Sequence, residues 1–225
     1  FRKFKTKFDV DEDEDEAIGD GLAQLHRVGI PRKAVVKIER LDFSGGNRPS
    51  QPILHIIGNV FAGSGDDALD LDGTDAWIEG NVFIGIHRNG APDSSAAVSG
   101  GNGGGATSEI TILNNLFFDT DNAATSKQGN FYTLLHNTIV RTTREGGVDF
   151  DSGIVNLRDT TPDITTYGRG TYLEGNIITD AENLIRNPLD SAPSTFINNL
   201  LPFAWTGPGT NNRVLDAQLT HIPTV

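Results

Sequence analysis

The chain of 225 residues contains no cysteine and no methionine. Without cysteine it has no disulfide framework, no thiol nucleophile and no cysteine-ligated zinc site, although either redox compartment remains open. No apolar run approaches the roughly 18 residues that cross a bilayer, so membrane insertion is not expected. Methionine is missing even at position 1, where the chain begins Phe1-Arg2-Lys3-Phe4. We therefore expect a processed protein or a segment of a longer one.

Basic residues are also in the minority. There are 18 Lys and Arg against 30 Asp and Glu, which gives a formal net charge of −12. Such a chain would repel phosphate, which disfavours nucleic-acid partners. The charge favours divalent cations or basic surfaces as partners, although solubility alone would also explain it. The acidic run at residues 9–16 should be an exposed, self-repelling loop, and calcium is the alternative role for its oxygen ligands.

One hexapeptide pattern, apolar-x-x-Asn-x-apolar, recurs along the chain. Its asparagines are Asn59, Asn81, Asn115, Asn137, Asn176 and Asn199. An earlier copy at residues 38–43 has Leu41 in the place of Asn. The asparagines are 22, 34, 22, 39 and 23 residues apart. A period of about 22 residues with longer insertions is typical of a solenoid.

A coil of this length is too short for a pair of helices but suits three short strands with three corners. We therefore predict an all-β fold, a right-handed parallel β-helix whose coils stack at ~4.8 Å. The apolar residues on either side of Asn should point inward. Asn at the corner should tolerate left-handed backbone geometry and bond to the Asn above and below in a ladder. A β-sandwich with recurring Asn-Gly turns is the alternative.

The repeat divides the chain into three regions. Residues 1–18 are predicted to form an N-terminal strand and acidic loop that could continue from an upstream region. The β-helix should occupy residues 19–201, with insertions near 87–108 and 159–170. Residues 202–225 should form an irregular tail. Binding sites commonly lie on long loops of a regular framework, which draws attention to the two insertions.

Five aspartates form the strongest cluster of candidate functional residues, namely Asp75 and the four candidate metal ligands Asp66, Asp67, Asp70 and Asp72. If Leu71 points inward, Asp70 and Asp72 point outward about 7 Å apart on one strand. That separation suits two catalytic carboxylates that hold a water for inverting glycoside hydrolysis. The four carboxylates could equally hold Ca²⁺. A solvated acidic face without either role is the third interpretation.

Lys127 and Arg158 form a second, basic cluster, because we expect them on adjacent coils. They could remove a proton beside a uronate carboxylate and protonate the leaving oxygen, provided that the pKa of Lys127 is depressed. Simple pairing with nearby carboxylates is the alternative.

Three residues are candidate glycan contacts. Trp77 should point outward beside Glu79, where an indole can stack on a sugar ring. His87 and Arg88 open the first predicted insertion.

Residues 65–83, which read GDDALDLDGTDAWIEGNVF, resemble the pectin-lyase-like right-handed β-helix superfamily, in particular β-helix modules of large secreted or surface bacterial proteins. The resemblance spans residues 19–201. Lys127 and Arg158, with the residues before them, are similar to the catalytic Lys and Arg of chondroitinase-B-like alginate lyases. The pair Asp66-Asp67 resembles that of polygalacturonases. The resemblance implies an extracellular or cell-surface location and a polysaccharide partner.

We expect a β-helix module with a structural or glycan-contacting role in a larger extracellular protein, because shared fold does not imply shared catalysis. Its partners would be polysaccharide, or other domains or copies of a surface protein. One alternative is a polysaccharide lyase or glycoside hydrolase that acts on an acidic glycan, and another is a filament subunit. No cofactor is required, and Ca²⁺ is the ion that the carboxylates could bind.

Overall fold

The computed structural model describes residues 41–42, 53–88, 95–103, 105–142, 152–158 and 166–214. These residues form β-strands and no α-helix, so none of them belongs to a helix that is long and apolar enough to cross a membrane. The N-terminal strand and acidic run predicted in residues 1–18 lie outside the described residues, as do residues 159–165 of the second insertion and the tail beyond residue 214.

The strands form three sheets. Sheet 1 contains β1 (Leu41–Asp42), β4 (Leu69–Asp70), β7 (Ala96–Gly100), β10 (Asn122–Ser126), β13 (Gly153–Asn156) and β16 (Ile185–Arg186). Sheet 2 contains β2 (Leu54–Ile57), β5 (Ala76–Glu79), β8 (Glu109–Leu113), β11 (Phe131–Leu135), β14 (Thr171–Glu174), β17 (Ser194–Ile197) and β19 (Gly209–Thr210). Sheet 3 contains β3 (Val60–Ala62), β6 (Val82–Ile86), β9 (Leu116–Thr120), β12 (Thr138–Thr142), β15 (Ile177–Ala181), β18 (Leu200–Leu201) and β20 (Arg213–Val214).

From β1 to β18 the chain visits the three sheets in turn, and β19 and β20 then extend sheets 2 and 3 alone; each strand pairs with its counterpart in the neighbouring circuit. All the pairings between these strands are parallel. An antiparallel β-sandwich would not give this order. The all-β fold of three parallel sheets is consistent with a β-helix or solenoid.

A row of asparagine side chains joins successive circuits between sheets 2 and 3. Each Nδ2 donates to the Oδ1 of the next Asn at 2.9–3.1 Å, along Asn59, Asn81, Asn115, Asn137, Asn176, Asn199 and Asn212. Each accepting Oδ1 also receives the backbone N–H of the preceding Asn in the row. The row therefore satisfies polar groups whose burial would otherwise cost free energy. We call it the Asn ladder.

The left-handed residue at this corner is the one before each ladder Asn. Positive φ angles occur at Gly58, Gly80, Asn114, His136, Gly175, Asn198 and Asn211. The left-handed geometry that Asn at the corner was expected to tolerate is thus found at the residue before the ladder Asn. The preceding residue makes the turn, so the ladder side chain remains free to bond along the stack. Gly is frequent there because it adopts positive φ without a steric penalty.

The interior contains one continuous apolar cluster with contributions from all three sheets. On sheet 3, the rings of Phe61, Phe83 and Phe117 stack in register, with centroids 4.9 Å apart and interplanar angles of 5–7°. Ile139 and Ile178 continue the row. The position thus accepts either a ring or a branched aliphatic chain.

The outer side of sheet 3 is apolar as well. Val60, Ile84, Phe118 and Val140 form a second buried cluster, and the guanidinium of Arg141 lies 5.2 Å from the ring of Phe118. The strand alternation places these residues opposite to the interior row. This side of the stack is therefore largely closed to polar ligands.

Two segments differ from their sequence-based descriptions. Residues 96–100, which the repeat placed within an insertion, form β7 and pair with β4 and β10. Residues 209–214, which were expected in an irregular tail, add β19 and β20 to sheets 2 and 3. Both segments supply strands that every circuit needs, and neither carries the hexapeptide pattern that marked the other corners.

Candidate functional site

The predicted catalytic residues belong to the outer side of sheet 1. Leu69 and Leu71 are fully buried, whereas Asp70 and Asp72 are half-buried, so the predicted alternation is observed. Asp70 begins a row of polar side chains in register that continues through Ser99, Thr125, Asn156 and Arg186. The three central members of this row are buried. The centre of this face is therefore not open to a polymer.

The aspartates of this region are bonded to the protein itself. Asp66 pairs with Arg88 at 3.1 Å, Asp67 accepts the N–H of Ala96 at 2.8 Å, and Asp72 accepts the N–H of Gly101. Among residues 53–88 and the other described segments, no three carboxylates or imidazoles converge as a metal site. The calcium prediction for Asp66, Asp67, Asp70 and Asp72 thus gains no support from the geometry.

Asp67 is a carboxyl of this face whose pKa is raised. Burial raises the pKa of Asp67 to about 6, although hydrogen bonds from Ser99 and Ala96 and the charge of Lys127 act in the opposite direction. A carboxyl with such a pKa can exchange a proton near neutral pH.

Lys127 and Arg158 each follow a buried strand of sheet 1, two residues beyond the paired Thr125 and Asn156. The backbone of residues 166–168 hydrogen-bonds to both regions, since Gln128 and Gly129 donate to it and Gly168 donates to Leu157. This returning segment therefore lies beside both basic residues. Lys127 and Arg158 follow strands that pair with each other, and a joint catalytic role for the two side chains stays a prediction.

His87 and Arg88 lie at the corner between sheets 3 and 1, away from Trp77 on sheet 2. His87 Nδ1 is 2.7 Å from Asp121 Oδ1, and its Nε2 is 3.4 Å from Asp119 Oδ1. Burial alone would lower the pKa of His87, but the hydrogen bonds and charges of Asp119 and Asp121 outweigh it and raise the pKa to about 10. The side chain of His87 is therefore held between two carboxylates of the following circuit, which favour its charged form.

We expect the free energy of unfolding to fall at alkaline pH, because this ion cluster loses the positive charge of His87 there. The pKa of His87 rises from 6.5 in the unfolded chain to about 10 in the folded one, so its stabilisation is complete below pH 6.5 and is lost as pH rises through about 10. The free energy of unfolding, measured in urea, should decline between pH 6 and pH 10.5, and the decline should be smaller in His87→Gln. Parallel profiles for the two proteins would contradict this assignment.

The outer side of sheet 2 is different, because its central row is accessible. Trp77, Thr111, Thr133 and Tyr172 stand in register on four neighbouring strands, and all four are only half-buried. We call these four residues the sheet 2 row. In the described parts of sheets 1 and 3, no comparable row combines accessible positions with aromatic side chains.

Each aromatic residue of the sheet 2 row is held by a glutamate two residues along its strand. Trp77 Nε1 donates to Glu79 Oε2 at 2.8 Å, and the hydroxyl of Tyr172 donates to Glu174 Oε2 at 2.7 Å. The hydrogen bond to Glu174 raises the pKa of Tyr172. The two pairs repeat the same arrangement on strands β5 and β14, so both rings are fixed in position.

Of the predicted glycan contacts, only Trp77 lies on this surface. The sequence reasoning missed Tyr172 and Glu174, although the signal was present. Trp77, Thr111, Thr133 and Tyr172 follow one another at 34, 22 and 39 residues, the same separations that divide the ladder from Asn81 to Asn176. Aligning the coils on the ladder would have placed all four in one row.

Comparisons of this chain with protein-family models, with curated proteins and with solved structures found no match, so the geometry alone carries the functional interpretation.

Proposed function

We propose that the chain is a right-handed parallel β-helix of the pectin-lyase-like type and a glycan-contacting module of a larger extracellular or cell-surface protein. The observation that carries this proposal is the sheet 2 row, where two fixed aromatic side chains stand on one flat and accessible face. Aromatic rings with a polar partner are well suited to sugar surfaces, which combine apolar ring faces with hydroxyl groups.

The arrangement of sheet 1 supports a module better than an enzyme. Three of its candidate acids, Asp66, Asp67 and Asp72, are bonded to Arg88 or to neighbouring backbone N–H groups, and the centre of its outer face is buried. An enzyme would need these groups to converge on one sugar in an open groove. No cofactor or metal is needed for the proposed role.

A polysaccharide lyase that acts on an acidic glycan is the second candidate. It is favoured by the raised pKa of Asp67 together with the charge of Lys127 nearby. In that case Lys127 and Arg158 would act at the edge of sheet 1 near residues 166–168, where the face is half-buried.

One experiment separates the two candidates. The full chain is run in native gels that contain single polysaccharides, neutral and acidic, and is also incubated with alginate, chondroitin and pectin with and without Ca²⁺. The module predicts retardation by at least one polysaccharide and no unsaturated uronate product. Product that disappears in Lys127→Ala would establish the lyase, and absence of both retardation and product would overturn the proposed function.

A further inference from the structure

We infer that the sheet 2 row binds an extended, uncharged polysaccharide chain that runs along the stack of coils, with Trp77 and Tyr172 under two of its sugar rings. This inference rests on the proposed function and adds the ligand class, the site and the direction of the chain. The two aromatic residues and their glutamates form the ends of the site, and the two threonines form its centre.

The spacing of the row fits an extended polymer. Trp77 and Tyr172 are three strand separations apart, or roughly 14 Å at ~4.8 Å per strand. One pyranose of an extended chain advances by close to one strand separation. A chain along the stack would therefore place a sugar at each aromatic residue and two sugars between them, above Thr111 and Thr133.

The centre of the site offers small and apolar surface. A second row of outward side chains lies beside Thr111 and Thr133. In strand order it contains Glu79, Leu113, Leu135 and Glu174. All of these side chains are half-buried, so they form a shallow strip without a projecting side chain. A shallow strip bounded by rings favours a flat polymer over a compact ligand.

The charges of the surface select against acidic glycans. Glu79 and Glu174 lie at the two ends of the row that contains Leu113 and Leu135, and Asp75 and Glu109 lie on the opposite side of the sheet 2 row. Arg169, which reaches this edge, is already paired with Glu109 at 3.2 Å. Carboxylates accept hydrogen bonds from sugar hydroxyls but repel uronates and sulfates, and the net charge of −12 adds to this repulsion.

The test uses the full chain and measures Kd from its retardation in native gels that contain hydroxyethylcellulose, xyloglucan or galactomannan. Polygalacturonate, alginate and chondroitin sulfate serve as the acidic set. We expect binding to a neutral polymer that weakens about tenfold in Trp77→Ala and in Tyr172→Ala, as for aromatic anchors at other binding surfaces. Tyr172→Phe should stay within about threefold, because it keeps the ring.

Phe203→Ala is the matched control, since Phe203 is an exposed aromatic outside the site and its loss should leave Kd unchanged. Thermal unfolding of each variant shows that it is folded. A second readout does not depend on those variants: Trp205→Phe leaves Trp77 as the single tryptophan, and its fluorescence should change on titration with the neutral polymer.

Several outcomes overturn the inference while the proposed function survives. These are retardation by the acidic set alone, or retardation by a neutral polymer that both alanine variants retain. A dimer of the chain that Trp77→Ala converts to monomers, without polysaccharide binding, would make the row a protein interface. Absence of binding to all six polymers would remove the inference together with the proposed function.

Discussion

Asn137→Ala should lower the free energy of unfolding by about 3 kcal/mol. The side chain of Asn137 is buried, and its Oδ1 accepts both the N–H and the Nδ2 of Asn115. Its Nδ2 donates to the carbonyl of Ile112 at 2.9 Å and to Asn176. Truncation leaves the N–H of Asn115 buried without its acceptor, which costs more than the bond itself contributed. Urea unfolding at neutral pH measures the difference.

Asn114→Gly is the matched control for this substitution. Asn114 has the same residue type and lies at the same kind of corner, but it is exposed and left-handed, with φ of 54°. Glycine adopts that conformation readily, so the change should stay within about 0.5 kcal/mol. Equal losses for Asn137→Ala and Asn114→Gly would show that the backbone turn, and not the ladder, carries the stability.

Phe83→Ala should cost about 4 kcal/mol, because it removes a large, fully buried side chain and leaves a cavity. It also breaks both ring contacts of the interior stack, with Phe61 and with Phe117, each at 4.9 Å. Such aromatic pairs contribute beyond their buried area. Thermal or urea unfolding of the variant gives the value directly.

Phe83→Leu distinguishes how much the filled volume and how much the ring stacking contribute to the free energy of unfolding. Ile139 and Ile178 occupy the same row on later strands, so the site accepts an aliphatic chain. We expect a loss of about 1 kcal/mol for this variant, within the range for hydrophobic exchanges of similar volume. If Phe83→Leu were as damaging as Phe83→Ala, the stacked rings rather than the filled volume would dominate.

The Asn positions could be recognised from sequence because the ladder needs one residue type at every coil. Side-chain amides both donate and accept, and Asn occupies every position of the row from Asn59 to Asn199. Asn212 was missed because it follows after 13 residues, a shortened circuit that keeps the second apolar flank, Val214, but has Gly209 in place of the first. The sheet that each strand joins follows directly once the ladder is aligned.

Other structural features do not require the same residue type in every coil, so the sequence pattern does not reveal them. A second left-handed position recurs on sheet 3 at Gly63, Gly85, Asp119, Arg141 and Asp180. Backbone geometry repeats there while side chains vary, so no pattern marks it. The partners of His87 and the glutamate that fixes Tyr172 depend on contacts between distant coils. Composition favoured the acidic cluster at Asp66–Asp72 as a site, but hydrogen bonds within the protein explain much of that cluster.

The claim on which this account depends is that residues far apart in sequence stand in one row along a stack of coils. The chain lacks cysteine, so spin labels can be attached cleanly at His55→Cys and Thr195→Cys, two outward positions of sheet 2. Five strand separations lie between these positions, which predicts a distance of roughly 24 Å at ~4.8 Å per strand, with a narrow distribution. A broad distribution, or a distance beyond about 35 Å, would contradict the stacked arrangement.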